Sequence, residues 1–221
     1  MGDALLVLNF KAYFESIGEK GLKLAKIAGD MVEETGANIV VCPQNTDLRT
    51  VASAVKIPVF AQHVDAVKPG SKTGHITPEA AKDCGCGGTL INHSEHRIPM
   101  EKVKETVERC KEAGLLSLVC VATPEEAGEA AAFNPDFIAI EPPELIGSGI
   151  SVSTANPKIV TDSVDAVQKV ANVPVLCGAG ISNGEDIKKA VELGARGVLL
   201  ASAFVKAEDP AGLLKEMAAG L

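Results

Sequence analysis

The chain has 221 residues, a formal net charge of −8 and a hydrophobic content of 46%, which suit one domain with a sizeable core. The negative charge argues against nucleic acid and anionic membrane surfaces as partners. The sequence has no apolar run long enough to span a bilayer and no secretory leader, so we expect a cytoplasmic protein with free thiols.

Short apolar runs typical of buried parallel strands alternate with amphipathic stretches along the whole chain. The predicted strands are Ala4–Asn9, Asn38–Cys42, Pro58–Ala61, Gly88–Ile91, Leu116–Val121, Asp136–Ile140, Pro174–Cys177 and Gly197–Ala201. The predicted helices are Glu15–Thr35, Asp47–Val55, Thr77–Cys84, Pro99–Ala113, Thr123–Phe133, Pro157–Ala171, Asn183–Leu193 and Pro210–Ala219. Five of the helices open with a capping residue or a proline, namely those after Thr77, Thr123, Asn156, Asn183 and Asp209.

Eight strands that alternate strictly with eight helices favour a closed parallel barrel. We therefore predict a single (β/α)8 barrel domain over residues 1–221. An open, doubly wound sheet is the structural alternative, because the chain is shorter than the roughly 250 residues usual for such barrels.

In a barrel of this kind, the residues at the carboxyl ends of the strands form the active face. The first strand ends in Asn9-Phe10-Lys11. Asn9 is uncommon within a strand, and it lies two residues before Lys11, so both side chains are on the same face. The fourth strand ends in Asn92-His93. Ser94-Glu95 then favours the first turn of a helix, whose positive end would keep the His93 imidazole neutral.

The sixth strand stops at a carboxylate, Glu141, which two prolines follow at once. The stiff Pro142-Pro143 turn leads to an apolar loop tip at Leu145-Ile146 and a flexible end at Gly147-Ser148-Gly149. This arrangement is typical of a base beneath a lid. An ordinary loop after a capped strand end is the other interpretation.

Small residues follow the last two strands, where barrels often bind phosphate. Gly178-Ala179-Gly180 could present backbone N–H groups to an anion, and Ala201-Ser202 would let a ligand approach the backbone closely. Cys84-Gly85-Cys86 lacks the Cys-x-x-Cys spacing and a second ligand pair nearby, so we expect no metal there.

Asn9-Phe10-Lys11, Asn92-His93-Ser94-Glu95 and the run from Glu141 to Gly149 together resemble the triosephosphate isomerase family. The segment from Gly74 to Gly85 is similar to the same family's segment before strand four. The chain departs from the common bacterial and eukaryotic pattern: it has Asn92 where Gly is usual, Ala201-Ser202 where Gly-Gly is usual, and no Trp in the lid. These departures and the short chain resemble the archaeal branch of the family.

The resemblance implies a cofactor-free isomerase that interconverts two triose phosphates in glycolysis and gluconeogenesis. It implies that Glu141 is the base, that neutral His93 polarises the carbonyl, and that Lys11 supplies fixed positive charge. It further implies that Asn9 binds the substrate and that backbone at Ile146, Gly147, Gly180, Ala201 and Ser202 binds the phosphate. A homo-oligomer, dimeric or tetrameric, is implied as well, through the loop over residues 63–76.

Two other functions fit the same residues. Lys11 at a strand end could form a Schiff base, which would make the chain an aldolase-type lyase. A phosphate-binding barrel without catalysis is the other alternative, and it is disfavoured by the joint presence of Glu141, His93 and Lys11.

Overall fold

The computed structural model describes residues 4–142 and 151–220. Its eight strands are β1 (Leu5–Asn9), β2 (Asn38–Cys42), β3 (Phe60–Ala61), β4 (Gly88–Ile91), β5 (Leu116–Val121), β6 (Phe137–Ile140), β7 (Val175–Gly178) and β8 (Gly197–Leu200). All described pairings between neighbouring strands are parallel, in the order β2-β1-β8-β7-β6-β5-β4-β3.

The two ends of this order meet just before β3. Val41 and Val59 form a parallel bridge, and the Val41 N–H donates to the Pro58 carbonyl at 3.2 Å. This contact closes the sheet, so the (β/α)8 barrel prediction is confirmed and the open-sheet alternative is wrong. β3 itself is only two residues long, shorter than the predicted strand.

The helices surround the barrel. They are α1 (Glu19–Thr35), α2 (Leu48–Ala54), α3 (Pro78–Asp83), α4 (Met100–Ala113), α5 (Pro124–Ala131), α6 (Val152–Ala155), α7 (Pro157–Gln168), α8 (Gly184–Glu192), α9 (Ser202–Val205) and α10 (Pro210–Ala219). Each of the five predicted capping side chains accepts a hydrogen bond from a backbone N–H in the first turn of its helix: Thr77, Thr123, Asn156, Asn183 and Asp209. In the part of the chain that the structure describes, no helix is long and apolar enough to cross a membrane.

Two details differ from the predicted helices. α1 begins at Glu19 rather than Glu15, because Phe14–Ser16 forms a separate 3₁₀ turn and Gly18 adopts a left-handed φ of 56°. The short helices α6 and α9 were not predicted, since four residues are too few to show a helical period.

The barrel interior and the layer under the helices are separate apolar clusters. Alternate residues of a strand face opposite sides, and every strand contributes to the interior cluster: Val7, Val40, Cys42, Phe60, Leu90, Leu118, Cys120, Ala139, Leu176 and Leu199. The positions two residues further along each strand face the same interior nearer the carboxyl ends. Several of these positions are polar, including Asn9, Asn92 and Glu141, and the packed core ends there.

Candidate active site

Lys11 follows β1 in a backbone conformation that non-glycine residues rarely adopt, with a φ of 46°. Its N–H donates to Asn9 Oδ1 at 2.9 Å, and its carbonyl accepts from Gln62 Nε2 at 2.9 Å. Gln62 Nε2 also donates to the Cys42 carbonyl at 2.9 Å, which ties Lys11 to the end of β2. Strain of this kind persists only where neighbouring groups enforce it, and it is common at active sites.

The Lys11 side chain is mostly buried, with 11% of its surface exposed. Its Nζ lies 2.9 Å from Glu95 Oε1. Because the ammonium is paired with a carboxylate, it supplies a fixed positive charge at the end of β1.

His93 follows β4, after Asn92, which also has a left-handed φ of 62°. Asn92 Nδ2 donates to the Cys120 carbonyl at 2.9 Å, and Asn92 Oδ1 accepts from the Ile98 N–H at 2.9 Å. The Asn92 side chain thereby connects β5 to the segment that leads into α4. This connection explains why the residue is an asparagine rather than a smaller residue.

The imidazole of His93 accepts the Glu95 N–H at Nδ1, over 3.2 Å. Because Nδ1 accepts this hydrogen bond, Nε2 is the ring nitrogen that is available to donate one. The predicted helix start at Ser94-Glu95 is wrong, because these residues form a turn and α4 begins at Met100. The backbone N–H of Glu95, within this turn, is the donor that contacts the His93 ring.

Glu141 directly follows β6 and continues the inward face of Phe137 and Ala139. Its backbone N–H donates to the Val121 carbonyl at 2.8 Å, and the residue is only 4% exposed. Glu141 Oε1 lies 3.6 Å from His93 Nε2. Both Glu141 Oε2 and His93 Nε2 are buried without a hydrogen-bond partner among the described residues.

Cys120 of β5 lies beside this carboxylate. Burial, and then the charge and hydrogen bonding of Glu141, raise the pKa of the Cys120 thiol well above its ordinary value. The thiol therefore stays protonated, so it can donate a weak hydrogen bond to Glu141 but cannot compete with it as a base.

Two neighbouring cavities share Lys11. One of about 250 Å³ is lined by Lys11 and Glu141 together with Gly180, Ala201 and Ser202. The other, of about 430 Å³, is lined by Asn9, Lys11, His93 and Glu95. His93 lines one cavity and Glu141 the other, and their side chains approach to 3.6 Å. The predicted residues that follow β1, β4, β6, β7 and β8 therefore lie together at the carboxyl end of the barrel. Ile146 and Gly147 lie outside the described residues.

The sequence did not indicate the supporting roles of three residues, Gln62, Cys120 and Gly178, and it placed Gly178 only in a candidate anion-binding turn. The structure places Gln62 against Lys11, Cys120 beside Glu141, and Gly178 within van der Waals distance of the Glu141 side chain. Gln62 and Gly178 each lie two positions after an inward-facing apolar residue, Phe60 and Leu176 respectively, so they face the barrel interior. This placement becomes readable only when the inward face of each strand is known.

A closed parallel barrel that brings a buried carboxylate, an imidazole and a lysine ammonium together at one end is typical of barrel enzymes that catalyse proton transfer. Comparison with protein families identifies one family within this class of enzymes. Residues 4–217 match the family described as triosephosphate isomerase, and the chain belongs to that family.

Several relatives are similar over nearly the full length. The triosephosphate isomerase of Methanocaldococcus jannaschii is 53% identical over 214 residues, which cover 96% of this chain and 98% of the relative. That of Methanothermobacter thermautotrophicus is also 53% identical over 214 residues, which cover 96% of this chain and 93% of the relative. That of Methanothermus fervidus is 50% identical over 218 residues, with 98% of each chain covered. These relatives confirm the resemblance to the archaeal branch.

Proposed function

We propose that this chain interconverts dihydroxyacetone phosphate and D-glyceraldehyde 3-phosphate by moving a proton between two carbons through an enediolate. The observation that carries the proposal is a pair of buried atoms, Glu141 Oε2 and His93 Nε2, that have no hydrogen-bond partner within residues 4–142 and 151–220. Their side chains approach to 3.6 Å. A buried polar atom without a partner costs about 1–3 kcal/mol, so a site that keeps two of them is suited to a polar ligand.

Glu141 removes the proton from the substrate carbon. The reaction deprotonates a carbon acid, which needs a base held in a dry environment and aimed at one atom. Glu141 meets both requirements, because it is 4% exposed and is fixed at the end of a barrel strand.

His93 donates a hydrogen bond to the substrate oxygens as charge develops on them. A neutral imidazole with its proton on Nε2 can donate and take back a proton without leaving a full charge in the site. The acceptor role of Nδ1 toward the Glu95 N–H supports this tautomer.

Lys11 stabilises the enediolate oxygen and the substrate phosphate by its charge. An ammonium at a buried wall acts most strongly where water is excluded. Asn9 supports it by accepting the Lys11 N–H, and it also lines the cavity beside His93. Backbone groups near Gly180, Ala201 and Ser202 bind the phosphate, together with Ile146 and Gly147.

The Schiff-base lyase is less well supported than the isomerase. A lysine that forms a Schiff base must lose its proton and is helped by burial beside other cations. Lys11 instead lies 2.9 Å from a carboxylate oxygen of Glu95, so it is paired with an anion rather than placed beside a cation.

The same proposal assigns the chain to glycolysis and gluconeogenesis in the cytoplasm, and to a homo-oligomer, a dimer or a tetramer, that uses the loop over residues 63–76. This loop is tied at both ends by Asp65, which accepts the Ile76 N–H at 2.7 Å. A loop ordered in this way is a suitable surface for a second copy.

The test is a coupled assay for both directions of triose phosphate interconversion, with proton NMR in D₂O on the same samples. Turnover with deuterium incorporation at C1 is expected. Phosphate ester binding without turnover or exchange would support the non-catalytic barrel. Trapping of a substrate adduct on Lys11 by borohydride would support the lyase.

A further inference from the structure

A second lysine lies close to the phosphate side of the site. The Nζ atom of Lys206 lies 4.3 Å from the centre of the Tyr13 ring. Tyr13 also lines the 250 Å³ cavity with Ala201 and Ser202. The Lys206 ammonium therefore contacts the aromatic ring of a residue that lines the cavity.

The charges around this cavity do not favour an anion. Lys11 carries the single positive charge among the described residues that line it, and Glu141 carries a negative charge on the same wall. Lys11 is also paired with Glu95, and the whole chain has a net charge of −8. Residues 143–150 contain no lysine or arginine. A phosphate monoester, with a charge near −2 at neutral pH, therefore approaches a cavity where, among the described lining residues, one carboxylate offsets the one ammonium group.

We propose that Lys206, held in place on the Tyr13 ring, is a substrate-binding cation that attracts the phosphate group of the substrate to the β8 side of the cavity. The proposal rests on the proposed function and adds a residue to it. Lys206 does not touch the reacting atoms, so it contributes to substrate binding and not to proton transfer.

The Tyr13 ring gives the ammonium a fixed position. A cation over an aromatic face is attracted by the ring quadrupole, and an exposed lysine would otherwise sample many rotamers. Lys206 also closes α9, where its backbone N–H donates to the Ser202 carbonyl at 3.0 Å. The same short helix therefore connects Lys206 to Ser202, which lines the cavity.

The experiment compares Lys206→Gln with a matched control, Lys56→Gln. Lys56 is 94% exposed and lies before β3, at the amino-terminal end of the barrel, so the control removes the same charge far from the site. For Lys206→Gln we expect KM to rise about twofold to fivefold at low ionic strength, with kcat nearly unchanged. The dependence of kcat/KM on ionic strength should become shallower. Lys206→Arg should restore both values.

The role of the ring is tested by a double-mutant cycle. Tyr13→Phe keeps the aromatic face and should behave as wild type, whereas Tyr13→Leu should raise KM. Lys206→Gln should add little in the Tyr13→Leu background, because the two residues act as a unit. Additive effects would overturn the link between them.

Inorganic phosphate, used as a ligand in calorimetry on the same variants, separates this inference from the proposed function. Equal KM and equal salt dependence for Lys206→Gln and Lys56→Gln, in a protein that turns over triose phosphates, would overturn the inference alone. A wild-type protein without turnover would contradict the proposed function. In that case weaker phosphate binding by Lys206→Gln supports the role of Lys206, and unchanged phosphate binding overturns it.

Discussion

Gly178 leaves the space that the Glu141 side chain occupies. A Cβ atom built on Gly178 would lie 2.5 Å from Glu141 Cγ and 3.1 Å from Oε1. Atoms cannot approach this closely, and Cγ is too near the backbone to move freely. The last residue of β7 thus sets the position of the carboxylate that follows β6.

Gly178→Ala is accordingly expected to displace the carboxylate while keeping the barrel. A displacement of about 1 Å can cost roughly 100-fold in rate, so we expect kcat to fall by about that factor. Steady-state kinetics and thermal unfolding of the purified variant measure the two effects. Gly29→Ala in α1 is the matched control, because its new Cβ meets nothing within 4 Å. A Gly178→Ala enzyme with wild-type kcat would contradict the tight fit.

Glu141→Asp retracts the same carboxylate by one methylene without changing its charge. We expect the variant to fold and to lose at least about 100-fold in kcat, because the base no longer reaches the substrate carbon. Circular dichroism checks the fold, and the coupled assay measures kcat. Near-normal turnover would remove Glu141 from the role of base.

The sequence predicted the barrel and most of the site because both depend on local patterns. Strand ends could be read from apolar runs, and Lys11, His93 and Glu141 each lie within three residues of such an end. The capping residues were equally clear, since a cap acts within one helical turn.

The supporting residues could not be predicted in the same way, because their roles depend on which strands are neighbours and on the register between them. Gln62 donates a hydrogen bond to the Lys11 carbonyl, 51 residues away in the chain. Gly178 leaves room for the Glu141 side chain because β7 is paired with β6. The turn at His93 was mispredicted as a helix start because Ser-Glu favours both structures.

Gln62→Met removes the amide that binds the Lys11 carbonyl and keeps the length of the side chain. We expect kcat/KM to fall by about tenfold or more, because Lys11 can relax from its left-handed conformation. Loss of a donor to two carbonyls also predicts a decrease of about 1–3 kcal/mol in the free energy of unfolding.

The matched control for Gln62 is Gln44→Met. Gln44 Nε2 is buried with no hydrogen-bond partner in the described ranges, so its loss should leave Lys11 in place. Similar kinetics for the two variants would show that the contact between Gln62 and Lys11 does not matter for catalysis.

The six thiols should differ sharply in reactivity. Five of the thiols are buried. Burial is the largest cause of the raised pKa of Cys86, Cys110 and Cys177, which is about 12 for each. Only Cys84 is partly exposed. Because the thiolate is the reactive form, native protein should show one fast thiol with Ellman's reagent and six in urea. Cys84→Ser should abolish the fast reaction, and persistence of that reaction would contradict the burial pattern.

His63 should make the fold less stable as the solution becomes acidic. Burial, and then repulsion from the His96 ring stacked 4.2 Å away, lower the pKa of His63 below 6.5, although Asp65 at 3.5 Å opposes the shift. Well above pH 6.5 the imidazole is neutral in both the folded and the unfolded state and contributes no pH dependence. Below pH 6.5 the unfolded chain binds the proton first, so the free energy of unfolding falls until the pH reaches the folded-state pKa of His63.

Urea unfolding of His63→Gln should therefore show a shallower decline in the free energy of unfolding than wild type between about pH 6.5 and pH 5. The two curves should be parallel between about pH 7 and pH 8. Equal slopes in the acidic range would contradict the lowered pKa.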